Sequence, residues 1–153
     1  MSDTAILIEG LYFGEGPRWH ADRLWFSDFY AHAVKSVDES GDVRIELELD
    51  DQPSGLGWLP DGRLLVVAMK ERAVKRLDLS GLVLHADISE LTVHLCNDMV
   101  VDADGSAWVG NFGFNLDADL KARGGEVFSD HPVANLVRVD ADGSVHVAAK
   151  DLH

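Results

Sequence analysis

The chain has 153 residues, 46% of them hydrophobic and 26% charged, the balance of a soluble globular domain able to bury a core. Its 13 Lys and Arg against 27 Asp and Glu leave a formal net charge of −14, which argues against nucleic acid or an anionic membrane surface as partner, since both recruit basic patches. The single cysteine, Cys96, excludes an intramolecular disulfide framework and fits a reducing compartment. Lying in the apolar stretch His94-Leu95-Cys96 with no base beside it, this thiol reads as buried and structural.

The opening Met1-Ser2-Asp3-Thr4 has no basic region, and no apolar run reaches the roughly 18 residues a membrane span needs. The expectation is a soluble, cytoplasmic protein. Strand patterns then fill the chain: a leading strand over Ala5–Phe13, then Leu24–Asp28, Ala33–Asp38, Val43–Leu49, Gly55–Leu59, Arg63–Met69, Ala73–Asp78 and Leu82–Asp87. Four more follow at Asp98–Asp102, Ala107–Asn111, Asn135–Asp140 and Ser144–Ala149. Only Ser89–Val93 has helical character. Pro60-Asp61-Gly62, Ala103-Asp104-Gly105 and Ala141-Asp142-Gly143 carry the Asp-Gly pair of a tight hairpin needing positive φ, and Ser40-Gly41 and Ser80-Gly81 serve likewise.

These elements repeat. Glu15-Gly16-Pro17-Arg18-Trp19, Ser54-Gly55-Leu56-Gly57-Trp58 and Asn97-Asp98-Met99-Val100-Val101 open successive units, 39 and then 43 residues apart. The units close on Val37-Asp38, Leu77-Asp78 and Val139-Asp140. A period of about 40–45 residues made of short strands is the signature of propeller blades. The expected fold is therefore an all-β propeller of the six-bladed type, with about three four-stranded blades here, near 15–50, 54–92 and 97–153. The third unit is longer by an irregular insertion around Gly113–Ala134, either a functional lid or surface decoration. Because closed propellers need about four to eight blades, the expectation is half of a ring completed by further blades or by a second copy of the chain.

The head of each unit changes within a constant frame. Glu15 and Asn97 offer a carboxylate and an amide oxygen to one axis, a donor pair that suits a hard cation, although a solvated loop Glu is the plainer reading of Glu15 alone. Ser54 is placed to meet a ligand hydroxyl or to steady its turn, and Asp98 to hold backbone amides. Trp19, Trp58 and Trp108 read as fillers between blades, while Phe112 and Phe114 sit where an aromatic could wall a substrate pocket. The seven histidines show no zinc-binding spacing, and no nucleophile elbow, P-loop or dinucleotide fingerprint is present.

Glu15-Gly16-Pro17-Arg18-Trp19 with Leu24-Trp25-Phe26-Ser27-Asp28 resembles the opening blade of the regucalcin/gluconolactonase family (senescence marker protein, luciferin-regenerating-enzyme-like). Pro53–Leu64 resembles its second blade and Asn97–Gly105 its third, so the likeness runs through nearly the whole chain. The resemblance implies a six-bladed propeller of roughly twice this length that hydrolyses lactones or related esters with one central divalent cation. It implies Ca²⁺ first, with Zn²⁺ or Mg²⁺ as alternatives. By the same resemblance Glu15 is a metal ligand, and Asn97 contacts the metal's shell or a sugar-acid-like lactone substrate. The family's Pro-Asn-Gly ligand and its Asp general base have no counterpart in this sequence, so no catalytic residue is identified here. Leu95 stands where the family often carries a substrate-binding Arg. Three readings follow: a metal-dependent lactonase acting with complementary blades, a non-catalytic half-propeller that dimerises, and an inactive fragment.

Overall fold

A computed structural model describes residues 5–153, so the expectation for Met1–Thr4 lies outside the described residues. Twelve strands form three antiparallel sheets, each a simple meander of four. The first comprises β1 (Gly14–His20), β2 (Arg23–Asp28), β3 (Ala33–Val37) and β4 (Val43–Glu48). The second comprises β5 (Pro53–Trp58), β6 (Leu64–Ala68), β7 (Ala73–Asp78) and β8 (Gly81–Asp87). In the third, β9 (Cys96–Val101), β10 (Ala107–Asn111), β11 (Ala134–Val139) and β12 (Val145–Leu152) follow the same order. This is the all-β, propeller-type architecture expected from the repeat. Among the described residues no helix is long and apolar enough to cross a membrane.

The hairpin glycines behave as their sequence demands. Gly41, Gly62, Gly105 and Gly143 all lie at φ between +85° and +90°. Each donates its amide to the carbonyl three residues back, from Asp38, Leu59, Asp102 and Asp140 respectively. The turn is thus a three-residue loop ending in a left-handed residue, the form that matches strand twist. The acidic residues of these loops are largely consumed locally: Asp38 accepts the amides of Ser40 and Asp42, and Asp102 those of Asp104 and Ser106. Much of the negative charge therefore belongs to turns.

The sheets pack face to face, and the middle one carries the core. Every residue of β6 is buried, as a strand covered on both faces must be. On one side Leu56, Leu64 and Val66 meet Val34 and Trp25 of the first sheet. On the other, Leu65, Val67 and Val74 meet Met99, Val109, Val137 and Val139 of the third. Cys96 is fully buried there, as anticipated, and burial pushes its thiol pKa up to about 11. The inner strands converge so closely that a Cβ on Gly55 would lie 2.2 Å from the Met99 amide nitrogen, and one on Gly57 would lie 2.3 Å from Val101 Cγ2. The glycines of the repeated frame are the places where one inner strand rests on the next.

Three expectations need correction. Residues 5–13 form no strand: the Tyr12 and Phe13 amides donate to Asp28 Oδ1 at 3.0 and 2.8 Å rather than to a neighbouring strand. Ile8 and Leu11 instead line a small apolar hollow with Leu24 and Phe26 on the outer face of the first sheet. Ser89–Leu91 forms a single 3-10 turn, but it is not the sole helical piece. The insertion contains α1 (Leu116–Arg123) followed by a 3-10 turn at Gly124–Phe128. Lastly, Trp58 alone of the three named tryptophans fills a space between sheets, stacked on His20 at 3.9 Å and edge-on to Trp25 at 5.3 Å. Trp19 is 56% exposed. Trp108 lies on the third sheet's outer face, bonded to Asp102 and beneath Arg138, because strand alternation turns Ala107 and Val109 to the core instead.

Candidate functional site

The loops at one end of the three sheets enclose a cavity of about 370 Å³. Glu15 reaches it from the start of β1 and Asn97 from the start of β9. Ser54, 1% exposed at the start of β5, stands behind them and donates its hydroxyl to Asn97 Oδ1 at 3.1 Å. The Ser54 carbonyl in turn accepts from Ser27 Oγ at 2.6 Å, tying the second head residue to the first sheet. The three repeat heads are therefore brought together. Serine is the intermediary rather than a cavity wall.

Among the described residues, Glu15 Oε1 is buried without a hydrogen-bond partner. Burial is the main force pushing the Glu15 carboxyl above its ordinary range. The adjacent Ser54 hydroxyl opposes that shift, and the negative charge of Asp98 adds to it. An orphaned carboxylate oxygen beside an amide oxygen, both at one cavity, is a donor set that fits a hard divalent cation. It supplies part of such a shell, and among the described residues no group of three or more His, Cys, Asp or Glu side chains completes one.

Asp98 holds backbone as expected, accepting the Met99 amide at 2.8 Å. Its second role was not read from sequence. Arg18 of β1 passes over β5 to bond Asp98 Oδ1 at 3.0 Å and the Met99 carbonyl at 2.5 Å. Asp28 is the other unforeseen residue. Burial alone would raise its pKa, but the Lys35 ammonium at 2.7 Å and the amides of Phe13 and Tyr12 outweigh that and hold the carboxyl below its usual range. It thereby anchors the chain just before Glu15.

The aromatics divide. Phe112 lines the Glu15–Asn97 cavity, whereas Phe114 lines a neighbouring pocket of about 290 Å³ that Phe112 and Leu116 share. The insertion sits over the site, with Leu116, Asp117 and Leu120 of α1 facing the first cavity. Its helix carries the end signals of one in the sequence. Asn115 caps the Ala118 amide, Asp117 and Asp119 occupy the first turn, Lys121 and Arg123 the last, and Gly124 follows.

Residues 13–153 match the family described as SMP-30/Gluconolactonase/LRE-like region. The chain belongs to that family. A gluconolactonase from Xanthomonas campestris superposes with a TM-score of 0.70 at 24% identity, covering 94% of this chain and 49% of its own. Regucalcin, a calcium-binding protein from Agrobacterium tumefaciens, gives 0.70 at 21%, with 95% and 46% covered. A luciferin-regenerating enzyme gives 0.67 at 19%, with 90% and 45% covered. At these identities the likeness establishes the fold, and the chain spans about half the length of these structures. In this gluconolactonase-like protein, two of the variable heads, Glu15 and Asn97, meet at the cavity, and the third, Ser54, holds Asn97 from behind.

Proposed function

We propose that this chain contributes the Glu15–Ser54–Asn97 portion of a divalent-cation site, Ca²⁺ by preference, in a lactone-hydrolysing propeller. The observation that carries the reading is the buried Glu15 Oε1, without a hydrogen-bond partner among the described residues, at the cavity that Asn97 also lines. Glu15 and Asn97 would hold the ion, and Ser54 fixes the Asn97 amide with its oxygen toward the hydroxyl. Calcium takes about six to eight oxygen ligands, so two side chains leave the remainder to water, substrate and other blades. When bound, the ion polarises a carbonyl and acidifies a water. In the net reaction the water oxygen adds to the lactone carbonyl carbon, the ring C–O bond breaks, and a proton passes to the departing oxygen, giving a hydroxy acid. The group that accepts the water's proton belongs to complementary blades, whether from the same polypeptide or from another chain.

The test is calorimetric titration of Ca²⁺ into wild type and Glu15→Gln, with lactone hydrolysis followed in parallel. Wild type should bind and Glu15→Gln should not. Unaltered calcium affinity in the variant would remove Glu15 from the site.

A second reading, a half-propeller that pairs with its own copy, draws on the apolar residues left on outer faces, including Ile45 at 60% and Val100 at 57% exposed. Sedimentation of a species near twice the 16.7 kDa chain mass would support it, and a monodisperse monomer would remove it.

A further inference from the structure

The cavity at Glu15 and Asn97 is otherwise built for an apolar guest. Phe13, Phe29 and Tyr30 form one wall, and their rings lie 4.1 to 6.1 Å apart, centroid to centroid. Met69, Leu95 and Phe112 form the other, and Leu116 and Leu120 of α1 form the roof. The remaining polar groups are the Gln52 amide and the Asp117 carboxylate. Neither Lys nor Arg lines it. Away from the cation proposed at Glu15 and Asn97, a substrate carboxylate would meet the Asp117 carboxylate and no Lys or Arg, and a polyhydroxylated ring would bury most of its hydroxyls against hydrocarbon, at a cost of the kind that desolvated polar groups carry.

The neighbouring compartment is more apolar still. Phe112 and Leu116 belong to both spaces, so the two adjoin. Phe114, Phe128, Pro132, Ala134 and Leu152 line the second beside the polar side chains Asn111, His131 and His153, with Phe114 edge-on to Phe112 at 6.5 Å and stacked on His131 at 5.0 Å. The Phe112, Phe114 and His131 rings thus pack on one another along one side of this compartment.

We infer that the substrate is an uncharged lactone bearing an alkyl tail, its ring at Glu15 and Asn97 and its tail running past Phe112 into the compartment walled by Phe114 and Phe128. This rests on the lactonase reading above and names the substrate class of the same site.

The experiment titrates γ-lactams of increasing alkyl length into the chain in calcium buffer. Lactams match the lactones in shape and are not readily opened, so binding is read apart from turnover. Hydrolysis of the matching γ-lactones and of glucono-1,5-lactone is measured in parallel. Lactam affinity should rise by about fourfold per added methylene until the compartment is full. Phe114→Ala should flatten that dependence. So should Phe128→Ala, a truncation at a residue 65% exposed, where folding is not at stake. A flat chain-length dependence in wild type overturns the inference. Chain-length-dependent lactam binding that EDTA leaves unchanged upholds the compartment and refutes the cation site on which the hydrolase reading rests. Opening of gluconolactone with neither binding nor turnover of the alkyl series upholds the hydrolase and refutes the alkyl tail.

Discussion

Replacing Gly55 by alanine probes the convergence on which the site depends. The new Cβ would stand 2.2 Å from the Met99 nitrogen, 2.5 Å from Met99 Cβ and 2.8 Å from the Asp98 carbonyl carbon. An ordinary contact begins at 3.4 Å, so β5 and β9 must separate by roughly 1.2 Å at that point. Two of the three obstructing atoms are backbone, so no rotamer change relieves them. Overpacking costs about 1–3 kcal/mol, and a backbone obstruction within the main core belongs at the upper end, about 3 kcal/mol. At about 2–4 °C per kcal/mol for a domain of this size, the melting temperature should fall by about 6–12 °C. The same separation acts on the Ser54 to Asn97 bond of 3.1 Å, so calcium affinity should drop although no ligand has changed. Urea denaturation and calcium titration of Gly55→Ala read both effects. Gly125→Ala is the control, since its Cβ meets nothing within 4 Å and its φ is not positive. Loss of less than about 0.5 kcal/mol in Gly55→Ala would refute the argument, because that is the scale of a neutral surface change.

Other expectations follow from single side chains. Glu15 has a raised pKa in the folded state, so its contribution to stability is full below its unfolded value of 4.5 and is lost as pH rises through the folded value. In EDTA, Glu15→Gln should therefore melt higher than wild type at neutral pH and show no such advantage below pH 4.5; equal melting temperatures at pH 7 would contradict this. The Cys96 thiol, held near a pKa of about 11 and fully buried, should resist a disulfide reagent at pH 8 in the folded protein and react at once in urea. Asp28→Ala strands the largely buried Lys35 ammonium and frees two backbone amides, a loss of about 3–5 kcal/mol measurable by urea denaturation.

What the sequence displayed and what it hid separate along physical lines. Alternation and left-handed glycines act within a few residues, so the strand expected over Val43–Leu49 and found at Val43–Glu48, the strand Ala73–Asp78, and the loops ending at Gly41, Gly62, Gly105 and Gly143 were readable. The heads Glu15, Ser54 and Asn97 were visible because the frame around them repeats, and the structure places all three together. Residues 5–13 misled because their apolar pattern satisfies Asp28 and the face of the first sheet instead of a strand partner. The helix Leu116–Arg123 escaped notice because no apolar period marks it, although its caps and end charges did. Arg18 could not be singled out, since its partner lies 80 residues away. Phe114 is separated from Phe112 by one residue yet faces a different space, a distinction set by the insertion's path.

The reach of Arg18 to Asp98 and Met99 couples two sheets that do not follow one another in the chain. One guanidinium ties the first sheet to the third across the second, so a displacement of either outer sheet is felt by the other without the middle strands as go-between. A shorter residue at position 18 would leave that coupling to the apolar contacts each makes with the second sheet.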